Sequence, residues 1–257
     1  MSASDLFIKN PHSILAALKM RPKDVLEISL PKDKIDDVWD EIEALADRNR
    51  IRVGSGGPSG PSRQDSRRAG GANRVEPKSG GGRESGHGAM IKAKPPSSVE
   101  VLFSGVTESM RGVWLALDSL QDPQNIGAIF RSAAFFGVKG IVLTTERSAP
   151  ITNTVYDIAS GGVEAIPFVQ VINLQRAFEK AKDAGLWILG TSEHAKESVK
   201  KLKNDRPWLL VMGNEEKGLR RLTEESCDMM CTIPNAGAGV SSLNVSVATG
   251  ILLSHLA

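Results

Sequence analysis

Short apolar segments alternate with segments of helical spacing along the second half of the chain. The apolar segments are bounded by turn residues and read GVWLALD, GIVLT, AIPFVQVI, LWILGT, PWLLVMG and MMCTI. The intervening segments repeat their apolar residues with the period of a helix, and they read IGAIFRSAAFFG, TNTVYDIASGG, LQRAFEKAKDAG and, at shorter length, LRRLTEES. This alternation predicts an α/β domain from about residue 112, with a parallel sheet covered by helices on both faces.

The N-terminal part of the chain predicts a smaller α/β unit. Asn10 and Pro11 form an N-cap and first-turn pair ahead of the helical pattern HSILAALKM. Strands are predicted for DVLEISL, IRV and GAMIKAKP, and KIDDVWDEIEALADRN places its apolar side chains on one helical face. We therefore predict a small domain over 1–96, a linker over 97–111 and a larger domain over 112–257.

Segment 54–88 interrupts the small unit with a composition that disfavours folding. It contains 11 Gly and 3 Pro in 35 residues, a share above the roughly 25–30% at which disorder is expected. It also has almost no apolar residues whose burial could offset the entropy of ordering. We predict a disordered insertion inside the small domain, because strand patterns lie on both sides of it.

Composition narrows the class of protein. The chain is 40% hydrophobic and 24% charged, as is typical of a soluble globular protein. No apolar run approaches the roughly 18–20 residues of a membrane span. The N-terminus MSASDLFIKNPH has neither the apolar core of a signal peptide nor the Arg-rich character of a transit peptide. We therefore expect a cytoplasmic protein that does not enter a membrane.

The two cysteines and the net charge add little chemistry. Cys227 and Cys231, with four scattered histidines, match no common zinc spacing. We expect no metal and two inert thiols. The formal net charge is only +2, so a site for a polyanion has to come from local clusters of charge.

Candidate chemistry lies in the loops that follow the predicted strands, where parallel sheets bind their ligands. In DSLQDPQNIGAIFRSAAFFGV, Asn125 ends a loop and Arg131 falls about one and a half turns into a helix. A lone Arg on a helix is most often a solvated surface charge. Here its neighbours are mostly apolar, which favours a phosphate or carboxylate partner.

Two further loops carry polar residues after buried strands. In WLLVMGNEEKGLRRLT, Gly213 and Glu215 follow a strand, although the spacing is not that of a phosphate-binding P-loop and the carboxylate could simply cap the next helix. IPNAGAGVSSLNVSVATGILL interleaves Ser242 and Asn244 with apolar residues. This stretch is either the start of a capped helix or the wall of a polar ligand site.

In this order, the three loops resemble the SpoU-type RNA ribose methyltransferases of the SPOUT class. The resemblance rests on Asn-x5-Arg, on Gly-Asn-Glu after a buried strand and on Ser-Leu-Asn-Val-Ser-Val-Ala near the C-terminus, and it includes ERSAPITNTVYDIASGGVEAIPF. It covers about 112–257. The full chain looks most like the RlmB group, in which a small ribosomal-protein-like, RNA-binding domain precedes the catalytic one, since NPHSILAAL and HGAMIKAKP fit that pattern.

The resemblance implies a fold, a cofactor and a reaction. The fold is a parallel α/β sheet with a C-terminal trefoil knot that holds S-adenosylmethionine. The reaction is methylation of a ribose 2′-hydroxyl on a guanosine of large-subunit ribosomal RNA. The implied cofactor-binding residues are Thr191, Gly213, Ile233 and Leu243, and the implied catalytic residues are Arg131, Asn125, Glu215, Ser242 and Asn244.

The family also implies a homodimer. Three alternatives stay open at this point: a methyltransferase that acts on the ribose of tRNA, a non-catalytic RNA-binding assembly factor on the same fold, and an open α/β metabolic enzyme. The pattern at 9–95 disfavours the tRNA enzyme, and the complete set of implied catalytic residues disfavours the assembly factor.

Overall fold

The computed structural model describes residues 5–32, 36–54, 86–214, 217–237, 239 and 242–257. The strands are β1 Asp5–Ile8, β2 Val25–Ser29, β3 Arg52–Gly54, β4 Gly88–Lys92, β5 Gly112–Leu117, β6 Ile141–Thr144, β7 Phe168–Val171, β8 Trp187–Thr191, β9 Glu197–Ser198, β10 Pro207–Met212 and β11 Met229–Thr232. The α-helices are α1 Pro11–Met20, α2 Asp37–Asn49, α3 Val99–Leu102, α4 Pro123–Phe135, α5 Asn153–Ala159, α6 Gly162–Ala165, α7 Leu174–Asp183, α8 Arg221–Glu225 and α9 Val245–Leu256.

A parallel sheet organises the second part of the chain. Its seven strands lie in the order β7-β6-β5-β10-β8-β11-β9, and neighbouring strands pair in parallel. Every residue of β10 and of β6 is buried, as expected for strands that are covered on both faces. The predicted α/β fold with a parallel sheet is confirmed. The trefoil knot stays a prediction.

A second, smaller sheet contains the N-terminal strands in the order β1-β4-β2-β3. β4 runs antiparallel to β1 and β2, whereas β2 and β3 are parallel. β1 was not predicted, because DLFI is only four residues long and has no clear alternation. The domain boundaries at 96 and 112 stay predictions.

The segment predicted to be disordered needs a correction at its ends. Gly54 and Gly88 belong to β3 and β4, because the backbone of each pairs with β2 at Ser29. Residues 55–85 of that segment lie outside the described residues. The glycine-rich composition therefore does not exclude strand structure at the first and last positions of the predicted insertion.

Side-chain caps start helices α1 and α4. The Asn10 side chain accepts hydrogen bonds from the amides of His12 and Ser13, as predicted. Asp122 caps α4 through the amide of Gln124.

Among the described residues, no helix is long and apolar enough to span a bilayer.

Candidate active site

A cavity of about 850 Å³ opens at the carboxyl ends of three adjacent strands, β8, β10 and β11. All four residues that the resemblance assigns to the cofactor line it, and so does one assigned to catalysis: Thr191, Gly213, Ile233, Leu243 and Ser242. The volume lies within the range of about 300–1,000 Å³ that is usual for small-molecule sites. The structure thus brings together residues from four separate segments of the chain.

The floor of the cavity is a tight turn after β10. Asn214 and Gly218 exchange two backbone hydrogen bonds of 3.0 and 2.9 Å. A Cβ atom at Gly213 would lie only 2.5 Å from the Gly218 carbonyl oxygen and from the Leu219 amide nitrogen. Because no real Cβ makes such contacts, only glycine fits at this position.

Side-chain hydrogen bonds attach this floor to the neighbouring strands. The Asn214 amide Nδ2 donates to the Ser119 carbonyl oxygen at 3.0 Å, just beyond β5. The Thr191 hydroxyl donates to the Val211 carbonyl oxygen at 3.0 Å. The Thr191 oxygen keeps acceptor capacity toward the cavity, since a hydroxyl that donates once can still accept.

Asp118, at the end of β5, is a structural residue that sequence reasoning missed. Its buried carboxylate accepts hydrogen bonds from the hydroxyls of Thr223 and Ser119, at 2.7 and 3.0 Å, and pairs with Arg220 at 2.7 Å. These contacts fasten α8 and the turn before it to the centre of the sheet. The available signal was an acidic residue directly after the apolar run GVWLAL.

Asn125 and Asn244 contact each other although they were assigned from different loops. The Asn244 Nδ2 donates to the Asn125 Oδ1 at 2.9 Å. Asn244 is also the N-cap of α9, where its Oδ1 accepts from the amides of Ser246 and Val247 at 2.9 and 3.4 Å. The capping interpretation of this stretch is therefore correct for Asn244, while the preceding residues Ser242 and Leu243 line the cavity.

Arg131 lies on α4, on the same helix as Asn125. Its side chain is exposed, and no ion pair or hydrogen bond joins its guanidinium to another residue within the described ranges. It does not line the cavity; nor do Asn125 and Asn244. Glu215, the remaining residue assigned to catalysis, lies outside the described residues.

Burial raises the thiol pKa of both cysteines near the cavity. The pKa of Cys231, in the cavity wall, rises to about 12 through desolvation. The pKa of Cys227 also rises to about 12, first through desolvation and then through the nearby carboxylate of Asp228. Both thiols stay protonated at neutral pH, which disfavours nucleophilic chemistry and metal binding by them. Among the described residues, no cluster of three or more metal-ligating side chains is present.

Two backbone amides in the cavity wall remain available to a ligand. The amides of Ile233 and Leu243 make no hydrogen bond to any other residue of the described part of the chain. Together with the small residues around them, they provide polar backbone groups beside apolar side chains. This combination suits a small ligand that needs directional hydrogen bonds as well as apolar contact.

Comparisons with known proteins identify the family of the chain. The SpoU rRNA Methylase family matches residues 112–254. The chain is 37% identical to the 23S rRNA (guanosine-2'-O-)-methyltransferase RlmB of Pseudomonas aeruginosa, covering 95% of this chain and 93% of that protein. It is 35% identical to the enzyme of the same name from Nitrosomonas europaea, covering 94% and 87%.

Solved structures resemble the whole of the fold. The SpoU methyltransferase AviRb from Streptomyces viridochromogenes superposes with a TM-score of 0.74 at 21% identity, covering 99% of this chain and 89% of that one. Its complex with the cofactor AdoMet gives a TM-score of 0.72 at 20% identity. At this level of identity, the likeness concerns the fold.

Proposed function

The chain belongs to the SpoU rRNA Methylase family, and on that premise we propose that it transfers a methyl group from S-adenosylmethionine to a ribose 2′-hydroxyl. The substrate is a guanosine in large-subunit ribosomal RNA, as the names of the RlmB relatives state for those proteins. An enzyme with this substrate acts in the cytoplasm. The resemblance noted from the sequence is confirmed at the level of the family.

One observation carries the proposal. The family resemblance assigns four residues to the cofactor, and all of them line a single cavity: Thr191, Gly213, Ile233 and Leu243. The glycine, the free backbone amides and the cavity volume fit S-adenosylmethionine. Bound there, this cofactor supplies a methyl group on a positively charged sulfur, an electrophile that needs no metal for activation.

The chain's own residues hold the cofactor and orient the RNA. Backbone groups at Gly213, Ile233 and Leu243 bind the adenosine portion, and the Ser242 hydroxyl adds a polar contact. Asn244, fixed by its helix cap and by its hydrogen bond to Asn125, directly follows Leu243 of the cavity lining. Its role is to orient the ribose so that the 2′-oxygen is in line with the methyl group, which is the main contribution an enzyme makes to such a displacement.

Arg131 binds the RNA backbone. A guanidinium keeps its proton up to a pH of about 12 or higher, so it is not a general base. It binds a phosphate next to the target nucleotide and polarises the 2′-hydroxyl, which lowers the cost of releasing the hydroxyl proton to solvent water as the methyl group is transferred. Its exposure and its lack of a partner among the described residues support this role. Glu215 organises the same site, a role that stays a prediction.

We also propose a homodimer. Val247 and Ile251 are 51% and 38% exposed and lie four residues apart on α9, which places them on one side of the helix. Leu243, which is 48% exposed, directly precedes the N-cap of this helix. A second copy of the chain would cover this apolar stripe, which lies beside the cavity because Leu243 also lines it.

Methyl-labelled S-adenosylmethionine tests the proposal with unmethylated transcripts of large-subunit ribosomal RNA and of tRNA. Alkaline hydrolysis then maps the label, because a methylated 2′-oxygen blocks cleavage at that nucleotide. We expect one resistant guanosine in the ribosomal RNA. Label only in tRNA would retain the chemistry and overturn the substrate. Cofactor binding without transfer to either RNA, or to ribosomal particles, would leave a binding protein.

A further inference from the structure

A buried ion pair joins the N-terminal unit to helix α6. The Arg21 guanidinium donates from Nε and Nη2 to the two carboxylate oxygens of Glu164, each at 2.7 Å. The Glu164 side chain is 0% exposed and that of Arg21 is 13% exposed. Arg21 follows α1 and Glu164 lies on α6, so this two-bond contact fixes both the distance and the orientation between the two elements.

Lys94 makes a second buried connection to the same short helix. Its ammonium donates to the carbonyl oxygens of Val163, Glu164 and Ile166 at 2.9, 2.8 and 3.0 Å. Its backbone amide donates to the Tyr156 hydroxyl at 2.8 Å. The otherwise unpaired carbonyls at the end of α6 are therefore satisfied by a residue that follows β4.

Further contacts attach α1 and the chain before it to the turn between α5 and α6. The Ser13 hydroxyl donates to the Tyr156 carbonyl oxygen at 2.6 Å and accepts from the Gly161 amide at 2.9 Å. The Asp157 carboxylate accepts from the amides of Lys9 and Asn10 at 2.7 and 2.9 Å. The N-terminal unit thus holds the α5–α6 segment from Tyr156 to Ile166.

On its other side, the α5–α6 segment packs closely on α4, with backbone against backbone at Gly162. A Cβ at Gly162 would lie 2.5 Å from the Phe130 carbonyl oxygen and 3.0 Å from the Arg131 amide nitrogen. A Cβ at Gly127 would lie 2.8 Å from the Ile158 Cβ. Backbone therefore rests on backbone at the turn of α4 that carries Arg131, and any displacement of α6 has to move that turn.

We infer that Arg21 and Glu164 are positioning residues for methyl transfer: their ion pair couples the docked N-terminal unit, through α6, to the turn of α4 that presents Arg131. The inference rests on the proposed function. It gives the N-terminal unit a role in the chemical step in addition to any role in RNA capture. A displacement of about 1 Å at a reacting group can lower a rate about 100-fold. A small shift of the α4 turn is therefore enough to lower the rate of methyl transfer.

Glu164 separates this role from a direct contact with RNA. Arg21 is a cation near the surface, and its removal could weaken RNA binding on its own account. Glu164 has no exposed side-chain surface, and its charge would repel a phosphate. A common effect of Arg21→Gln and Glu164→Gln therefore reports the coupling between them and not an RNA contact.

The test compares Arg21→Gln, Glu164→Gln and the double variant with Lys19→Gln as a matched control. Lys19 lies on α1, two residues before Arg21, and pairs with Glu41 at 2.7 Å. Both side chains are about half exposed (52% and 49%). The measurements are kcat and KM with ribosomal RNA, Kd for S-adenosylmethionine and the melting temperature, with all assays well below melting. We expect kcat to fall about tenfold or more in each single variant, with no further fall in the double variant. Kd and KM should change less than twofold, and Lys19→Gln should match the unsubstituted enzyme.

Hydrogen exchange of the α4 peptide gives a second readout that needs no activity. Residues 124–136 should exchange faster in Arg21→Gln and Glu164→Gln than in Lys19→Gln. Unchanged α4 exchange and unchanged kcat in the folded variants would overturn the inference, as would an effect confined to KM. An unsubstituted protein that transfers no methyl group would instead overturn the proposed function, while faster exchange would still support the coupling to α4.

Discussion

Asn244 donates a side-chain hydrogen bond to Asn125 at 2.9 Å, although 119 positions separate the two in the sequence. The bond joins the first turn of α4 to the N-cap of α9, so one amide both starts a helix and contacts the other loop of the site. Because Asn244 donates through Nδ2 and accepts through Oδ1, both ends of its amide are committed and its orientation is fixed.

Asn244→Ala should lower kcat for methyl transfer strongly and the free energy of unfolding only modestly. Loss of an N-cap costs about 1 kcal/mol, and here it also removes the bond to Asn125. A matched control is Asn173→Ala, since Asn173 caps α7 by accepting from the Gln175 amide at 2.9 Å. Urea unfolding should show a loss of about 1 kcal/mol in Asn173→Ala and a larger loss in Asn244→Ala, whereas kcat should fall only in Asn244→Ala. Equal activity in the two variants would remove Asn244 from the site.

Arg131→Ala should lower kcat by about 100-fold or more, as does the loss of a preorganised donor at a reacting centre. Arg131 is exposed and lies outside the cavity lining, so Kd for S-adenosylmethionine should stay within twofold. Arg176→Ala, which removes an exposed arginine from α7, controls for loss of surface charge. Turnover at the unsubstituted rate would show that Arg131 has no part in the mechanism.

Gly213→Ala should abolish cofactor binding and lower the melting temperature. The new methyl group cannot fit against the backbone of Gly218 and Leu219, so the turn that floors the cavity has to open. Gly250→Ala is the matched substitution, because a Cβ there meets no atom within 4 Å among the described residues. Since Gly250 lies within α9, alanine should raise stability by about 0.5–1 kcal/mol. Calorimetric titration with S-adenosylmethionine and thermal melts measure both effects. Unaltered binding by Gly213→Ala would contradict this description of the floor.

Residue patterns predicted most of the large sheet because its strands are continuous apolar runs. The six residues of β10 are all buried, and such a run between turn residues has few other interpretations. Single residues were harder to predict. Asp118 looked like any acidic loop residue, since its partners Thr223 and Arg220 lie about a hundred positions away. The cavity residues were assigned by family resemblance, because spacing alone does not indicate which loops meet in space.

The interface between the N-terminal unit and α6 could not be predicted from the sequence for the same reason. Arg21 and Glu164 are ordinary charged residues in sequence, and nothing near either one predicts burial. Their contact arises only when α1 packs against α6. Local patterns specify helices and strands, whereas the pairing of distant charges depends on how the two sheets are arranged.

Tyr156, in that interface, should make folding stability depend on alkaline pH. Burial raises the pKa of Tyr156 from 10.0 to about 12. The folded protein therefore keeps a proton that the unfolded chain loses, and this contribution to stability is complete below pH 10 and is lost as the pH rises toward 12. At pH 11 the loss from this group is about 1.4 kcal/mol. The test measures the free energy of unfolding in urea at pH 8 and pH 11. Between these two pH values, Tyr156→Phe should lose less of it than the unsubstituted protein, by about 1.4 kcal/mol. Both proteins will also lose stability from Cys227 and Cys231, whose thiol pKa values are raised to about 12, so only the difference between them reports Tyr156. Identical pH dependence in the two would mean that the hydroxyl is accessible to water.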